Sequence, residues 1–487
     1  MLKRLFMTKP VQTGESASHI GEPTLKRVLG ARALTMLGVG AVIGAGIFVL
    51  TGQAAAEHAG PAIVLSFVMA GVACAFAGLC YAEFAAMLPV SGSAYSYSYA
   101  TLGEFVAWLI GWMLVLEYLF TASTVAVGWS GYFNSLLQSL GSWFHVSLAL
   151  PAALSTAPFA IVDGSLRATG ALINLPAVLI IAAVSCLAYV GIAQSAFVNS
   201  IIVAIKVVVI LLFIGFGLQY VNPHNWHPFI PPAGGAGRFG FDGVVRGASI
   251  VFFAYVGFDA VSTAAQEAKN PQRDMPIGIL ASLLICTLLY IVVAAVLTGL
   301  LPYPQLGTPK PVSTALEAYP QLLWLKTVVE VGAIAGLSSV ILVMLLGQSR
   351  IFYAMSRDGL IPGMFGRIHP KFQTPYVGGI VVGVAAATLA GLFPIGVLGD
   401  LVSMGTLLAF TTVCIGVLVL RYTRPELVRP FRVPFAPLIC MLGAVACFLL
   451  FLRSFVDNWH WMSAWIAIGL AIYFGYGFRN SRLGKAR

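Results

Sequence analysis

The sequence has 487 residues, 59% hydrophobic and only 9% charged, where soluble domains carry about 25% charged residues. With a mean hydropathy of +0.92, this excludes a soluble globular chain and implies an all-α polytopic membrane protein. The net charge of +10 does not signal nucleic-acid binding, because the cations are scattered between apolar stretches.

Length and hydropathy predict twelve transmembrane helices, at about 32–56, 61–88, 104–133, 174–191, 197–219, 243–267, 277–300, 325–355, 376–394, 398–420, 435–453 and 461–478. Residues 1–31 form a polar N-terminal segment without the pattern of a cleavable signal peptide. Residues 479–487 form a basic tail.

The first span contains Gly38-Val39-Gly40-Ala41-Val42-Ile43-Gly44-Ala45-Gly46-Ile47-Phe48. Each glycine in a helix interior costs about 0.5–1 kcal/mol against alanine. Four so close together predict either a helix that opens or one that a second backbone approaches closely. An opened helix bares peptide groups that hydrocarbon cannot satisfy. A helix restarting after Gly46 would offer N–H groups and a positive dipole end to an anion. Gly44, Ala45 and Gly46 are therefore candidate carboxylate binders.

Glu117 lies inside the third span and Lys206 inside the fifth. At about 1.5 Å rise per residue, Lys206 is roughly 14 Å from the start of its span, near the midplane. Charges at that depth are costly and are read as functional. Lysines held away from water are those that exchange protons in mechanisms. Glu117 is expected to meet the substrate side chain or a polar network near Lys206.

Span six reads Phe252-Phe253-Ala254-Tyr255-Val256-Gly257-Phe258-Asp259, with a carboxylate at mid-depth. Asp259 is either a second protonation site or a helix cap. Residues 134–173 and 220–242 are the longest outer connections. Ser313-Thr314-Ala315-Leu316-Glu317 has the form of a capping box opening a short helix outside the membrane. The seven cysteines lie in apolar context without metal-ligand spacing, so they are read as small core residues and no metal site is expected.

Lysine and arginine give the orientation. Twenty of the 27 fall on one side with both termini, and six (Arg167, Arg238, Arg246, Lys310, Lys326, Arg453) on the other. Lys206 is the remaining one. Both termini are expected to be cytoplasmic, and the protein to be a multi-pass protein of the plasma membrane. Spans one and six then run in opposite directions, the arrangement of an inverted repeat with broken helices at corresponding positions. Residues 32–220 and 243–420 would be the two five-helix repeats, with 435–478 as two appended helices.

Three further features carry a resemblance. Gly44-Ala45-Gly46-Ile47-Phe48, Phe253 to Asp259 followed by Glu267-Ala268-Lys269-Asn270-Pro271-Gln272-Arg273, and Arg350-Ile351-Phe352-Tyr353-Ala354-Met355-Ser356-Arg357-Asp358-Gly359 resemble the amino acid–polyamine–organocation (APC) transporters, most closely their cationic amino acid transporter branch. The resemblance implies a secondary transporter of L-amino acids, working by alternating access around a midplane site, and neither an enzyme nor a cofactor protein. It implies ammonium acceptors at Val42 or Ile43 and at Phe253, Ala254 and Val256, with Phe253 also covering the ligand. It implies that Lys206 stands where related sodium-coupled carriers hold a cation, with Gly40, Ile43, Gly336 and Ser339 as partners, hence proton coupling without sodium. By the same resemblance Met344 lines the side-chain pocket, where the branch tends to have a smaller residue. This favours small neutral amino acids such as alanine, with cationic ones still admitted. An exchanger, or a carrier of another small solute on the same fold, is the alternative. The partners expected are the amino acid, protons and the lipid bilayer. The sequence does not specify an accessory membrane subunit.

Overall fold

Peptide groups that cannot reach water must pair along their own chain, so long apolar runs fold as helices. The computed structural model describes residues 5–9, 29–88, 92–162, 165–190, 196–372 and 374–485. Among these, eight helical runs are long and apolar enough to cross a membrane: Ala31–Met87, Glu104–Trp143, Ser200–Tyr220, Gly240–Thr263, Pro271–Leu300, Pro320–Arg357, Ile395–Thr423 and Ala436–Asn480. Two shorter apolar helices, Leu175–Val190 and Tyr376–Leu392, accompany them. The chain is an all-α polytopic membrane protein.

The first and last runs are the longest, and each exceeds twice the length a span needs. The first, of 57 residues, turns at Gly60, where φ is +60° and Pro61 follows. The last, of 45 residues, loses helical geometry at Asn458 (φ −123°). Its two ends return to one side of the fold. Cys440 Sγ lies 3.4 Å from Cys80 Sγ, and Ser481 donates to the Glu104 carboxylate.

The principal helices are α1 (Ala31–Val42), α2 (Ile63–Met87), α3 (Ser93–Thr101), α4 (Glu104–Val115), α5 (Thr121–Trp143), α6 (Leu175–Val190) and α7 (Ala196–Gly217). They continue with α8 (Gly240–Val251), α9 (Pro271–Leu300), α10 (Pro311–Glu317), α11 (Leu323–Arg357), α12 (Tyr376–Leu392), α13 (Ile395–Thr423) and α14 (Ala436–Ile472). The helix α9 packs on α1 and α2, α5 packs on α11, and α7 lies against both α1 and α11. The glycine-rich stretch therefore sits at the centre of the bundle.

Several expectations need correction. The third span runs on to Trp143, and the connection after it contains an antiparallel hairpin, Phe159–Val162 with Ser165–Ala168. Helix α3 was not anticipated. Its repeated Tyr and Ser disguise it, yet Tyr95, Tyr97 and Tyr99 are all buried. The short helix at 311–317 exists, but not through a capping box. Lys310 is its N-cap residue, and the Ser313 hydroxyl donates to Glu330 at 2.6 Å instead. Cys186 is exposed, while the other six cysteines are buried. Lys3, Arg4, Lys26, Arg27 and Arg487 lie outside the described residues.

Glu330 holds α10 against α5 and α11. It is fully buried and accepts from Ser135, Ser139 (2.9 Å) and Ser313, with Lys326 Nζ 3.6 Å away. Glu317 joins this latch through Lys326 (2.8 Å) and Lys310 (2.9 Å). Burial raises the Glu317 carboxyl pKa, but the two ammonium groups outweigh it and hold it below the ordinary 4.5. A carboxyl lowered on folding adds stability above its unfolded pKa and loses it as acid protonates the folded form. The melting-temperature difference between wild type and Glu317→Gln should therefore be constant from neutral pH down to about 5 and shrink below it. A difference that grows on acidification would contradict this pairing.

Candidate functional site

Helix α1 stops where its glycines predict. Ile43 turns to an extended backbone (φ −71°, ψ 95°), and a π-helical segment, Gly46–Leu50, restarts with no side chain capping it. Span six breaks in the same way. The 3-10 turn Phe252–Tyr255 ends at extended Val256 (ψ 127°), Gly257 has φ +120°, and Ala260–Thr263 resumes the helix. The two breaks touch. A Cβ on Gly46 would lie 2.3 Å from the Ala254 Cα, and one on Gly257 would lie 2.8 Å from the Ala41 carbonyl carbon. Side chains are excluded at both points because one backbone lies directly on the other.

Lys206 reaches the first break from α7. Its ammonium donates to Gly40 O at 2.7 Å and Ile43 O at 3.0 Å, which are carbonyls released where α1 ends. Its stem lies on Gly336, whose added Cβ would be 2.9 Å from Lys206 Cε. The expected fourth partner differs: the Ser339 hydroxyl donates to Gly336 O at 2.9 Å. A hydroxyl on a helix has that backbone acceptor within constant reach.

Helix α11 carries a row of residues at a spacing of four, each lying near the face of the one before it. Gly336 meets Lys206, and Val340 faces Gly44, whose added Cβ would be 3.4 Å away. Met344 follows, fully buried, and then Gln348, whose amide oxygen and nitrogen are buried without a hydrogen-bond partner.

The carbonyls expected to receive an ammonium group are partly engaged. Tyr290 of α9 places its hydroxyl 2.7 Å from Val42 O and 2.9 Å from Ala254 O, bridging the two broken helices. Phe253 O accepts from Val256 N at 3.1 Å. Each carbonyl oxygen has two lone pairs, so each can accept a further bond. Phe253 itself is buried.

Glu117 occupies a second π-helical segment, Leu116–Phe120. Its neighbours in the structure are Asp259 and Thr406. The Glu117 carboxyl and the Thr406 hydroxyl are buried beside one another, within reach of each other and of Asp259. Asp259 accepts from Tyr118 Oη at 2.8 Å and Gly257 N at 3.3 Å, and it does not cap the following helix. A carboxyl pair thus lies beneath the second break.

Sequence reasoning missed Tyr290, Tyr118, Gln348 and Thr406. Tyr290 and Tyr118 read as ordinary packing aromatics, and nothing local marks a hydroxyl that will meet a distant carbonyl. Gln348 had a usable signal, an amide four residues beyond Met344 inside an apolar span. Among the described residues no group of three or more His, Cys, Asp or Glu is arranged to hold a metal.

A family model described as amino acid permease matches residues 29–474. The chain is 47% identical over 487 residues to a branched-chain amino acid permease of Bacillus subtilis, covering 99% of both chains. It is also 47% identical over 486 residues to a methylthioribose transporter of the same organism, covering 99% of this chain and 100% of the relative. A vacuolar cationic amino acid transporter 4 of Arabidopsis thaliana is 39% identical over 425 residues, covering 87% of this chain and 68% of the relative.

Proposed function

This chain belongs to the amino acid permease family, in the cationic amino acid transporter branch of the APC transporters, and from that premise we propose that it is a proton-coupled, sodium-independent carrier of L-amino acids. It is a multi-pass transporter and not an enzyme. We read the first and last helical runs as two spans each, which with the other six runs and the two shorter helices makes twelve. Residues 32–220 and 243–420 are then inverted repeats that move around the site between the two breaks, and 435–478 are appended. Both termini lie in the cytoplasm, at the plasma membrane.

The observation that carries this reading is the contact of the two interrupted helices, Gly46 on Ala254, at the centre of the bundle. Peptide groups bared there need a partner that hydrocarbon cannot supply. An amino acid supplies both halves. Its carboxylate meets the amides of Gly44, Ala45 and Gly46 at the positive end of the restarted helix. Its ammonium meets carbonyls among Val42, Ile43, Phe253, Ala254 and Val256. Tyr290, which already spans two of these, would yield to it or share them. Lys206, with its ammonium on Gly40 O and Ile43 O, fills a cation position without an ion. Its proton, together with that of the Glu117–Asp259 pair, is the coupled species.

Met344 makes the side-chain pocket small, so alanine-like substrates are favoured. In proteoliposomes, Met344→Ser should gain arginine uptake at least several-fold while alanine uptake falls less. The space released by such a truncation is typically worth 1–3 kcal/mol in discrimination. No gain of arginine transport would remove the pocket assignment.

A second reading is a hydroxyl-rich solute like that in the name of the methylthioribose-transporting relative. The unpartnered Gln348 amide favours it, since sugar hydroxyls would satisfy it. Such a solute leaves the Gly44–Gly46 amides without an anion, which ranks it second. Saturable counterflow in proteoliposomes, with a panel of amino acids and methylthioribose, distinguishes the two. It also distinguishes exchange from net uptake when the pH gradient is imposed or removed.

A further inference from the structure

The segment Glu267 to Arg273 is only partly explained by the site. Glu267 pairs with Arg350 at 3.7 Å, its backbone and that of Lys269 bond to Leu29, and Asp274 accepts from Asn270 N at 3.2 Å. Arg273 is left over. It is exposed in the first turn of α9 and has no ion pair or side-chain hydrogen bond among the described residues.

Arg273 stands at the mouth of a cleft of about 630 Å³ between α9 and Pro430-Phe431. The cleft changes character along its length. Asn270, Gln272 and Arg273 line one end, and Pro276, Ile277, Leu280 and Ala281 line the other. Positions 273, 277, 280 and 281 share a helix face, and Arg273 and Ala281 are about 12 Å apart along the axis. Ile277 is 41% exposed. Lys269 and Arg432, next in sequence to lining residues, are exposed and have no ionic partner among the described residues. The carboxylate nearest in sequence, Asp274, is turned to Asn270 N. A basic mouth at the beginning of a span, continued by an apolar trough down the span, matches a charged headgroup and its acyl chain.

We infer that this cleft binds an anionic phospholipid, with the phosphate on Arg273 and an acyl chain along Ile277, Leu280 and Ala281 against Phe431. The volume suits a partly embedded ligand of that size. Free phosphate would use the mouth alone and leave the trough empty, so the occupant is the lipid. The inference does not depend on which solute the carrier moves.

Native mass spectrometry of the full chain in mild detergent tests it, with phosphatidylglycerol, phosphatidylcholine and inorganic phosphate as probes. Phosphatidylglycerol should be retained in preference to phosphatidylcholine, and phosphate should not be retained. Arg273→Ala should lower phosphatidylglycerol affinity about five-fold, the worth of one basic side chain at an anionic surface. Arg273→Lys should restore most of it. Arg273 is exposed and unpaired, so neither change threatens the fold. Equal retention of both lipids, no response to Arg273→Ala, binding of phosphate alone, or a co-purified peptide in the lipid's place would each overturn the inference.

Discussion

A Lys206→Ala carrier should take up alanine no faster with an inward proton gradient than without one, a loss of at least ten-fold in gradient-driven uptake. The direct hydrogen bonds to Gly40 O and Ile43 O explain the size of the effect. Removing the ammonium leaves two buried carbonyls without their donor, at about 1–3 kcal/mol each, exactly where α1 must hold its break. Part of the loss would therefore be structural. The two causes separate by measurement: alanine counterflow without a gradient reports the site, and gradient-driven uptake reports the coupling. Counterflow retained with gradient dependence lost supports the proton role. Gradient dependence unchanged in Lys206→Ala contradicts it. Replacing sodium with choline should change neither protein.

The second large effect is steric. Gly46→Ala should abolish transport and alanine binding, because the new Cβ would sit 2.3 Å from the Ala254 Cα, a backbone atom that cannot rotate away. Overpacking of this kind typically costs 1–3 kcal/mol, and here it separates the two breaks that form the site. Gly44→Ala is the contrast. Its Cβ would lie 3.4 Å from a Val340 methyl, tight but relieved by a small shift, so its effect should be clearly milder. Thermal stabilisation by alanine, which scales with affinity, measures both. Equal tolerance of the two substitutions would contradict the packed arrangement.

The sequence reveals the breaks and the central lysine, because each violates a local rule. Glycines accumulate in Gly38–Gly46 against helix propensity, and Lys206 places a charge among Val and Ile. Such conflicts are where function is expected. What was not legible depended on distance in the chain. Tyr290 joins Val42 and Ala254 across 248 and 36 residues. Glu117, in the π-helical turn Leu116–Phe120, lies beside Asp259, a neighbour far along the chain that no local pattern marks. The same holds for Ser313, whose sequence reads as a cap and whose hydroxyl serves Glu330. The Phe159–Ala168 hairpin, in a stretch read as plain connection, shows how weakly a short two-stranded element is marked.

Affinity of the purified chain for L-alanine, compared with L-alaninamide and methylthioribose by calorimetric titration, tests the central claim most directly. The two amino compounds differ in the carboxylate that the Gly44–Gly46 amides would hold. The account predicts saturable binding of alanine, with alaninamide weaker by at least ten-fold, the loss expected for one charge-assisted contact of about 1.5–3 kcal/mol. Alaninamide binding as tightly as alanine, or methylthioribose binding where alanine does not, would contradict it.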